Sequence, residues 1–178
     1  LHVETEFRLR LAHAPAAWDD RERVHLPETQ RQRRNAVNAT HQSFPDVRLE
    51  SLFLKQAAVR PDAPAVIAPD RRLTYGELAV RARRIAASLL QQDVKPNALV
   101  AAVMEKGWEQ VAAVLGVLQS GAAYLPIDPT LPAERIAYLL SNGEVRVAVT
   151  QESWQSAEFL PKDVARIVVN ETTGGDFT

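Results

Sequence analysis

Two short segments carry residues that could bind the phosphate groups of a nucleotide. Met104-Glu105-Lys106-Gly107 directly follows an apolar run, and Thr172-Thr173-Gly174-Gly175 lies near the last residue. Glycine-rich loops bind phosphate through backbone N–H groups, and a lysine usually supplies the matching positive charge. The first segment has one glycine and the second has no lysine after it, so neither forms a complete phosphate loop. We interpret Glu105 and Lys106 as surface charges, with a catalytic role as the alternative, and the second segment as a chain end.

Other catalytic chemistry is limited by the residue types that are present. The chain has no cysteine, which excludes disulfides, thiolate nucleophiles and cysteine zinc sites. Paired carboxylates such as Asp19-Asp20 are interpreted as solvated. The four histidines have spacings that match no metal motif, and all lie in the N-terminal stretch: His2, His13, His25 and His41. We therefore predict no catalytic, cofactor-binding or metal-binding residue in this chain.

The composition is that of a globular protein without a strongly charged partner. Hydrophobic residues make up 46% of the chain, charged residues make up 24%, and the net charge is -1. This balance predicts neither nucleic acid nor an anionic membrane as a partner. No apolar run approaches the length of about 18 residues that spans a bilayer. The basic stretch Arg31-Gln32-Arg33-Arg34 is interpreted as a solvated helix face.

The elements before the first long strand are predicted from periodicity and turn residues. An apolar repeat from Leu49 to Ala57 predicts a helix that ends before Pro61. Residues 65–67 read as a strand that a turn connects to Leu73. Thr74 and Glu77 have the spacing of a capping box. The helix behind this cap is predicted to reach about residue 92, with one apolar stripe made of Leu78, Ala82, Ile85 and Leu89, and with Arg81, Arg83 and Arg84 in water.

Strands and helices alternate through the rest of the chain. The predicted strands are Leu99–Val103, one that begins at 122–125, Val145–Val149 and Ala165–Val169. Helices are predicted at 108–119, from Pro132 to just before Gly143, and weakly at 153–159. This order predicts an α/β fold: a partial three-layer arrangement with a mostly parallel sheet and covering helices. An irregular arm of about 46 residues precedes it.

Two segments carry a resemblance to a known family. Leu73-Thr74-Tyr75-Gly76-Glu77-Leu78 resembles the first core motif of the adenylation domains of nonribosomal peptide synthetases, which belong to the AMP-binding, acyl-adenylate-forming superfamily. Leu118-Gln119-Ser120-Gly121-Ala122-Ala123-Tyr124-Leu125-Pro126-Ile127-Asp128-Pro129 resembles the second motif closely. The resemblance covers about residues 48–150. It implies that residues 47–178 are the incomplete N-terminal part of an adenylation domain, within the large N-terminal subdomain.

In this family the two motifs are structural parts and do not contact ATP. Gly121 would form a tight turn between helix and strand, and Asp128 would cap local amides. Tyr124 would place its ring in the core and its hydroxyl at a wet edge. The candidate structural residues are Leu73, Thr74, Tyr75, Glu77 and Leu78 in the first motif, and Gly121, Ala122, Tyr124, Leu125, Pro126 and Asp128 in the second.

The resemblance also implies a reaction for the complete protein. The family joins an amino acid to ATP, which gives an aminoacyl adenylate and pyrophosphate, and transfers the aminoacyl group to a phosphopantetheine thiol on a carrier protein. ATP and magnesium serve the complete domain. The phosphate-binding loop with its lysine, the amino-acid pocket and the catalytic lysine are expected beyond residue 178. The chain alone is therefore expected to be inactive and to bind none of these cofactors.

The resemblance extends to the arm and to the expected partners. Residues 26–40 look like the linker between a condensation-type domain and an adenylation domain, so residues 1–46 are interpreted as that linker with a possible tail of the upstream domain. Residues 103–111 are similar to modules that follow a cyclisation domain and often activate cysteine, serine or threonine. The implied partners are the upstream condensation or cyclisation domain, the remainder of the adenylation domain, a downstream carrier protein and an amino-acid substrate, in the cytoplasm.

Two alternatives remain open at this point. The chain could be a non-catalytic α/β interaction or docking module, or part of an acyl-activating ligase outside peptide synthesis; the linker-like arm argues against the ligase. The chain begins with Leu1, and its single methionine is Met104. We therefore expect the natural polypeptide to begin upstream, with proteolytic trimming as the alternative.

Overall fold

The computed structural model describes residues 27–44 and 46–170. The Thr172–Gly175 segment, Asp19-Asp20 and three of the four histidines lie outside the described residues. Contacts divide the chain into two units, with the boundary between Asp46 and Val47. Among the described helices, none combines the length and the hydropathy of a bilayer-spanning segment.

The described part of the first unit contains helix α1, Glu28–Asn38. The arm is therefore not irregular over these residues, although Arg31 to Arg34 lie on a solvated helix as expected. None of the helix residues is buried. The Glu28 carboxylate accepts hydrogen bonds from Arg31 Nε at 2.9 Å and from Gln32 Nε2 at 3.0 Å. Such local pairs stabilise a helix that buries no apolar face, and they leave no apolar periodicity in the sequence.

The second unit begins with a helix, a hairpin and a long capped helix. Helix α2 is Leu49–Val59, and strands β1, Pro64–Ile67, and β2, Arg72–Thr74, pair antiparallel. Helix α3, Tyr75–Gln91, begins with the predicted capping box. Thr74 Oγ1 accepts from the Glu77 N–H at 3.2 Å, and the Glu77 carboxylate accepts from the Thr74 N–H at 2.8 Å. The predicted helices, hairpin and capping box in this part of the chain are confirmed.

Four parallel strands form the central sheet in the order β4-β3-β5-β6. The strands are β3, Leu99–Val103; β4, Ala123–Ile127; β5, Val147–Gln151; and β6, Ala165–Val169. Helix α4, Trp108–Gln119, precedes β4, and helix α5, Ala133–Asn142, precedes β5. Pro132 is the N-cap of α5 and not its first helical residue.

Strand β5 begins two residues later than the sequence predicts, because the preceding residues close helix α5. Val145 donates its N–H to the Leu140 carbonyl at 3.0 Å, and Glu144 donates to the Ser141 carbonyl at 3.1 Å. The prediction of a weak helix at 153–159 is also wrong for most of this range. A short 3₁₀ helix forms at Glu152–Trp154, and no helix continues from it to residue 159.

Helices cover both faces of the sheet. On one face, Val100 of β3 packs in a core with Leu78 and Ile85 of α3 and with Val117 of α4. On the other face, side chains of β3 pack with α5 and the segment before β6, in a core that includes Ala101, Val103, Ile136, Leu140 and Leu160. Consecutive residues of β3 thus enter opposite cores, as expected of a strand buried on both faces. The predicted three-layer α/β architecture is confirmed.

Candidate functional site

Ligands of open parallel sheets bind beyond the carboxyl ends of the strands, so a site is expected first at this edge. The loop after β3 contains Glu105 and Lys106, which are both exposed. Gln151, the last residue of β5, accepts a hydrogen bond from the Glu105 N–H through its side-chain oxygen at 2.9 Å. The buried Thr150 hydroxyl donates to the Val103 carbonyl at 2.9 Å. Strand β5 therefore fixes the position of the loop after β3.

A negative charge lies at the end of β4. One Asp128 carboxylate oxygen accepts from the Thr130 hydroxyl at 2.7 Å and from the Thr130 N–H at 2.9 Å. The Thr130 hydroxyl, followed by its N–H, holds the pKa of the Asp128 carboxyl below the ordinary value of 3.8, and the positive charge of Lys106 acts in the same direction. Asp128 is therefore a carboxylate at neutral pH and caps a local amide, as the sequence predicts.

This edge does not fit ATP or magnesium by itself. The loop after β3 presents one glycine, Gly107, and one lysine, Lys106, and so lacks the run of amides that cradles phosphate. Within residues 27–44 and 46–170, no three His, Cys, Asp or Glu side chains come together as a metal site. The described edge is a polar scaffold, and Glu105 and Lys106 lie on the surface.

Behind the loop, Trp108 is the first residue of α4 and only 3% exposed. The guanidinium carbon of Arg71 lies 4.6 Å from the centre of its ring, and that of Arg81 lies 5.4 Å away. The expectation that Arg81, Arg83 and Arg84 lie in water is therefore correct only for Arg83, since Arg81 and Arg84 are partly buried. Sequence periodicity does not reveal this contact because Arg71 comes from the hairpin, far from Trp108 along the chain. The two cations can stabilise the ring and join hairpin, α3 and α4.

The two sequence motifs meet at an open apolar groove of about 570 Å³. Tyr75 and Leu78 of the first motif line it, together with Tyr124 and Pro126 of the second motif. The Tyr75 ring stacks on Phe53 with the ring centres 5.9 Å apart. Contrary to the expectation of a ring in the core, Tyr124 is 40% exposed. The lining residues come from helices α2, α3 and α4 and from strands β1, β3 and β4.

The remaining motif residues do not join this groove. Leu73 and Ala122 are buried, and Leu125 is half-buried against the core on the other face of the sheet. Thr74 and Glu77 cap α3. Gly121 has a φ of 83° in the turn between α4 and β4, which is the tight turn that the sequence predicts. The motif residues are therefore divided among the two cores, the groove, the cap of α3 and the two ends of β4, and they do not form one active site.

Comparison with known proteins gives the family. A family model described as AMP-binding enzyme matches residues 53–176. A linear gramicidin synthase of Brevibacillus parabrevis is 43% identical over 120 residues, or 67% of this chain. Phenyloxazoline synthase MbtB of Mycolicibacterium paratuberculosis is 39% identical over 167 residues, or 94% of this chain.

A solved structure shares both sequence and fold with the chain. The nonribosomal peptide synthetase FmoA3, in its α-methyl-L-serine-AMP bound form, is 41% identical, has a TM-score of 0.78 and covers 83% of this chain. FmoA3 has also been solved in an AMPPNP-bound form.

The chain spans a small part of each of these proteins. It covers 2% of the gramicidin synthase, 14% of the phenyloxazoline synthase and 17% of the FmoA3 chain. The resemblance to nonribosomal peptide synthetases that rests on the two motifs is confirmed by these relatives. Because the family match extends over most of the second unit, the chain belongs to the AMP-binding enzyme family.

Proposed function

We propose that this chain is the opening part of an adenylation domain in a nonribosomal peptide synthetase. The complete domain would join an amino acid to ATP, release pyrophosphate and load the aminoacyl group onto a carrier-protein thiol. The observation that carries the proposal is the shared sequence and fold with FmoA3, whose structure holds an aminoacyl adenylate. The chain would contribute the parallel sheet and its covering helices.

ATP is the nucleotide that this proposal requires, and the AMPPNP-bound form of FmoA3 supports it. Phosphoryl-group chemistry needs amide and cationic donors around the reacting phosphate, and often magnesium. The described residues do not provide this set, so we assign those donors to other parts of the polypeptide. Phosphopantetheine would be carried by the partner carrier domain. The sheet and helices of this chain would then position the parts of the polypeptide that carry those donors.

The domain organisation follows from the same proposal. Residues 1–46 would form the linker after a condensation or cyclisation domain, and residues 47–178 would open the adenylation domain. The match to the phenyloxazoline synthase supports the linker, because 167 aligned residues must extend into the first 46 positions. That relative and the α-methyl-L-serine adenylate of FmoA3 also support a hydroxyl or thiol amino acid as the substrate: serine, threonine or cysteine. A cytoplasmic location belongs to this proposal as well.

The test is ATP–pyrophosphate exchange by the intact polypeptide with a panel of acids. We expect exchange with serine, threonine or cysteine, and none with an aryl acid that lacks an α-amino group. Exchange with aryl or fatty acids alone would indicate an acyl-activating ligase outside peptide synthesis. A folded polypeptide that catalyses no exchange with any acid would contradict the proposal and favour a docking module.

A further inference from the structure

The strand order places a topological switch point between β3 and β5. The chain crosses from β3 to β4 on one side of β3 and then returns to β5 on its other side. Helix α4, which follows β3, packs through Val117 in the core on one face of the sheet. The segment that follows β5 packs through Leu160 and Val164 in the core on the opposite face. Adjacent strands whose chains leave in opposite directions form a crevice beyond their carboxyl ends, and ligands of open α/β sheets bind in such a crevice.

One side chain joins the two diverging segments. Gln151, the last residue of β5, accepts a hydrogen bond from the backbone N–H of Glu105 through Oε1 at 2.9 Å, although the two residues are 46 positions apart. Gln151 Nε2 lies 3.6 Å from the place that a Cβ on Gly107 would occupy, so the amide group lies along the loop from residue 105 to residue 107. Gln151 is partly buried, whereas Glu105 and Lys106 are exposed. The side chain of Gln151 therefore connects the end of β5 to the loop after β3 at the switch point.

This contact continues the ties between β3 and its neighbours into the loop. The other ties lie earlier in the chain: the Val103 carbonyl accepts from the Thr150 hydroxyl at 2.9 Å, and the Met104 N–H donates to the Ile127 carbonyl at 3.3 Å. The hydrogen bond to Gln151 reaches one residue further, beyond the end of β3. Loss of the Gln151 oxygen would therefore release the loop and leave the ties of the strand in place.

We propose that Gln151 is a positioning residue for the adenylation reaction, and that it holds residues 105–107 as one wall of the substrate site at the switch point. The inference rests on the proposed function and gives one residue of this chain a part in it. A displacement of about 1 Å can lower a rate by about 100-fold, because the reacting groups are then held out of line. Gln151 acts through the backbone of the loop and does not itself need to contact a substrate.

Gln151→Met in the intact polypeptide tests this role, because methionine keeps the length of the side chain and removes the amide oxygen. The matched control is Gln155→Met, the same change at an exposed residue of the segment that follows β5. We expect Gln151→Met to lower kcat/KM for ATP in ATP–pyrophosphate exchange by about tenfold or more, and the control to match the unchanged protein. The kinetics are measured well below the lowest Tm of the variants, so that a smaller folded fraction does not cause the loss.

Gln151→Glu is the rescue variant, because a carboxylate oxygen accepts the same backbone N–H. The Glu109 carboxylate also lies beside Gly107, with Oε2 2.7 Å from the place that a Cβ would occupy. The added charge is therefore repelled, and the rescue is expected to be partial. Gln151→Met kinetics equal to those of the control, or a Gln151→Glu variant no more active than Gln151→Met, would overturn the inference.

Deuterium uptake at the Glu105 amide separates this inference from the proposed function, because it needs no activity. Uptake should be faster in Gln151→Met than in the unchanged protein, and close to the unchanged rate in Gln151→Glu and Gln155→Met. Unchanged uptake in Gln151→Met would overturn the inference even in an active enzyme. The expected uptake pattern in a polypeptide that catalyses no ATP–pyrophosphate exchange would contradict only the proposed function.

Discussion

Glu144 adopts the left-handed backbone conformation that ends α5, with a φ of 48°. Gly143, the residue that the sequence suggests for this position, has an ordinary φ of -85°. The hydrogen bonds from Val145 to Leu140 and from Glu144 to Ser141 are those of a Schellman closure, in which glycine is usually the left-handed residue. Gly121 does occupy such a position, at a φ of 83°. The left-handed position after α5 is therefore occupied by a residue that disfavours this conformation, Glu144, whereas the left-handed position after α4 is occupied by one that adopts it readily, Gly121.

Glu144→Gly is expected to stabilise the chain, because glycine adopts a positive φ without a steric penalty. The expected gain in the free energy of unfolding is up to about 1 kcal/mol, reduced by the greater freedom of glycine in the unfolded chain. Urea unfolding followed by circular dichroism measures it. Gly121→Ala is the matched opposite substitution. Apart from the adjoining residues of the chain, nothing lies within 4 Å of the added Cβ, so a loss of about 1–2 kcal/mol would come from the backbone conformation alone. Equal effects of the two substitutions would contradict this explanation.

Thr130→Val is expected to raise the pKa of Asp128 toward its ordinary value of 3.8, because the hydroxyl is the main cause of the lowered pKa. The N–H of residue 130 would still donate, so the shift should be partial. Because the pKa is lower in the folded state, the stabilising effect is present above the unfolded value and is lost as the pH falls through the folded value. Carboxyl NMR titration of both proteins checks the direction. An identical pKa in both proteins would show that the hydroxyl is not the cause.

At the scale of the elements, α3 and α4 pack closely where Gly116 of α4 faces Ala82 and Ile85 of α3. A Cβ at Gly116 would lie 2.7 Å from the Ile85 Cβ and 2.8 Å from the Ala82 carbonyl oxygen. Glycine lowers the propensity of α4 to form a helix, and the close contact with α3 explains why a larger residue does not fit. This contact positions both helices on the sheet face that carries the groove.

Gly116→Ala is therefore expected to destabilise the chain by about 1–3 kcal/mol through overpacking, even though alanine favours the helix. Thermal or urea unfolding measures the loss. The double variant Gly116→Ala with Ile85→Gly is the control, because it removes the Ile85 Cβ and Cγ2, two of the three atoms nearest to the new methyl group. Its destabilisation should be smaller than the sum of the single effects. Simple additivity would mean that the contact is not tight.

Elements that bury a face can be predicted from the sequence, since burial leaves a period in the apolar residues. Strand β3 and helix α4 are found at their predicted positions for this reason. Helix α1 leaves no such period because it buries nothing. The region 153–159 departs from its prediction because Arg166 donates to the Gln155 carbonyl at 2.7 Å and to the Leu160 carbonyl at 2.6 Å, which holds the segment out of a helix. The groove could not be predicted from the sequence, because its lining residues come from segments that are far apart along the chain.

At the scale of the whole molecule, the described residues form a sheet with covering helices, and we propose that they act as a frame for a reaction centre built by other parts of the polypeptide. The carboxyl edge of the sheet is ordered by Thr150 and Gln151, yet it offers no cradle for phosphate among the described residues. Trp108, held by two arginines, joins the hairpin to the helices behind this edge. The apolar groove lies on one face of the same unit. A frame of this kind is expected to act only when the remaining parts of the domain complete it.

The most direct test is ATP–pyrophosphate exchange by this chain and by the intact polypeptide, measured side by side with the same amino acids. We predict amino-acid-dependent exchange by the intact polypeptide and none by the isolated chain. Exchange by the isolated chain would show that its own residues complete an active site. A folded intact polypeptide that is inactive with every amino acid would contradict the assignment to amino-acid adenylation.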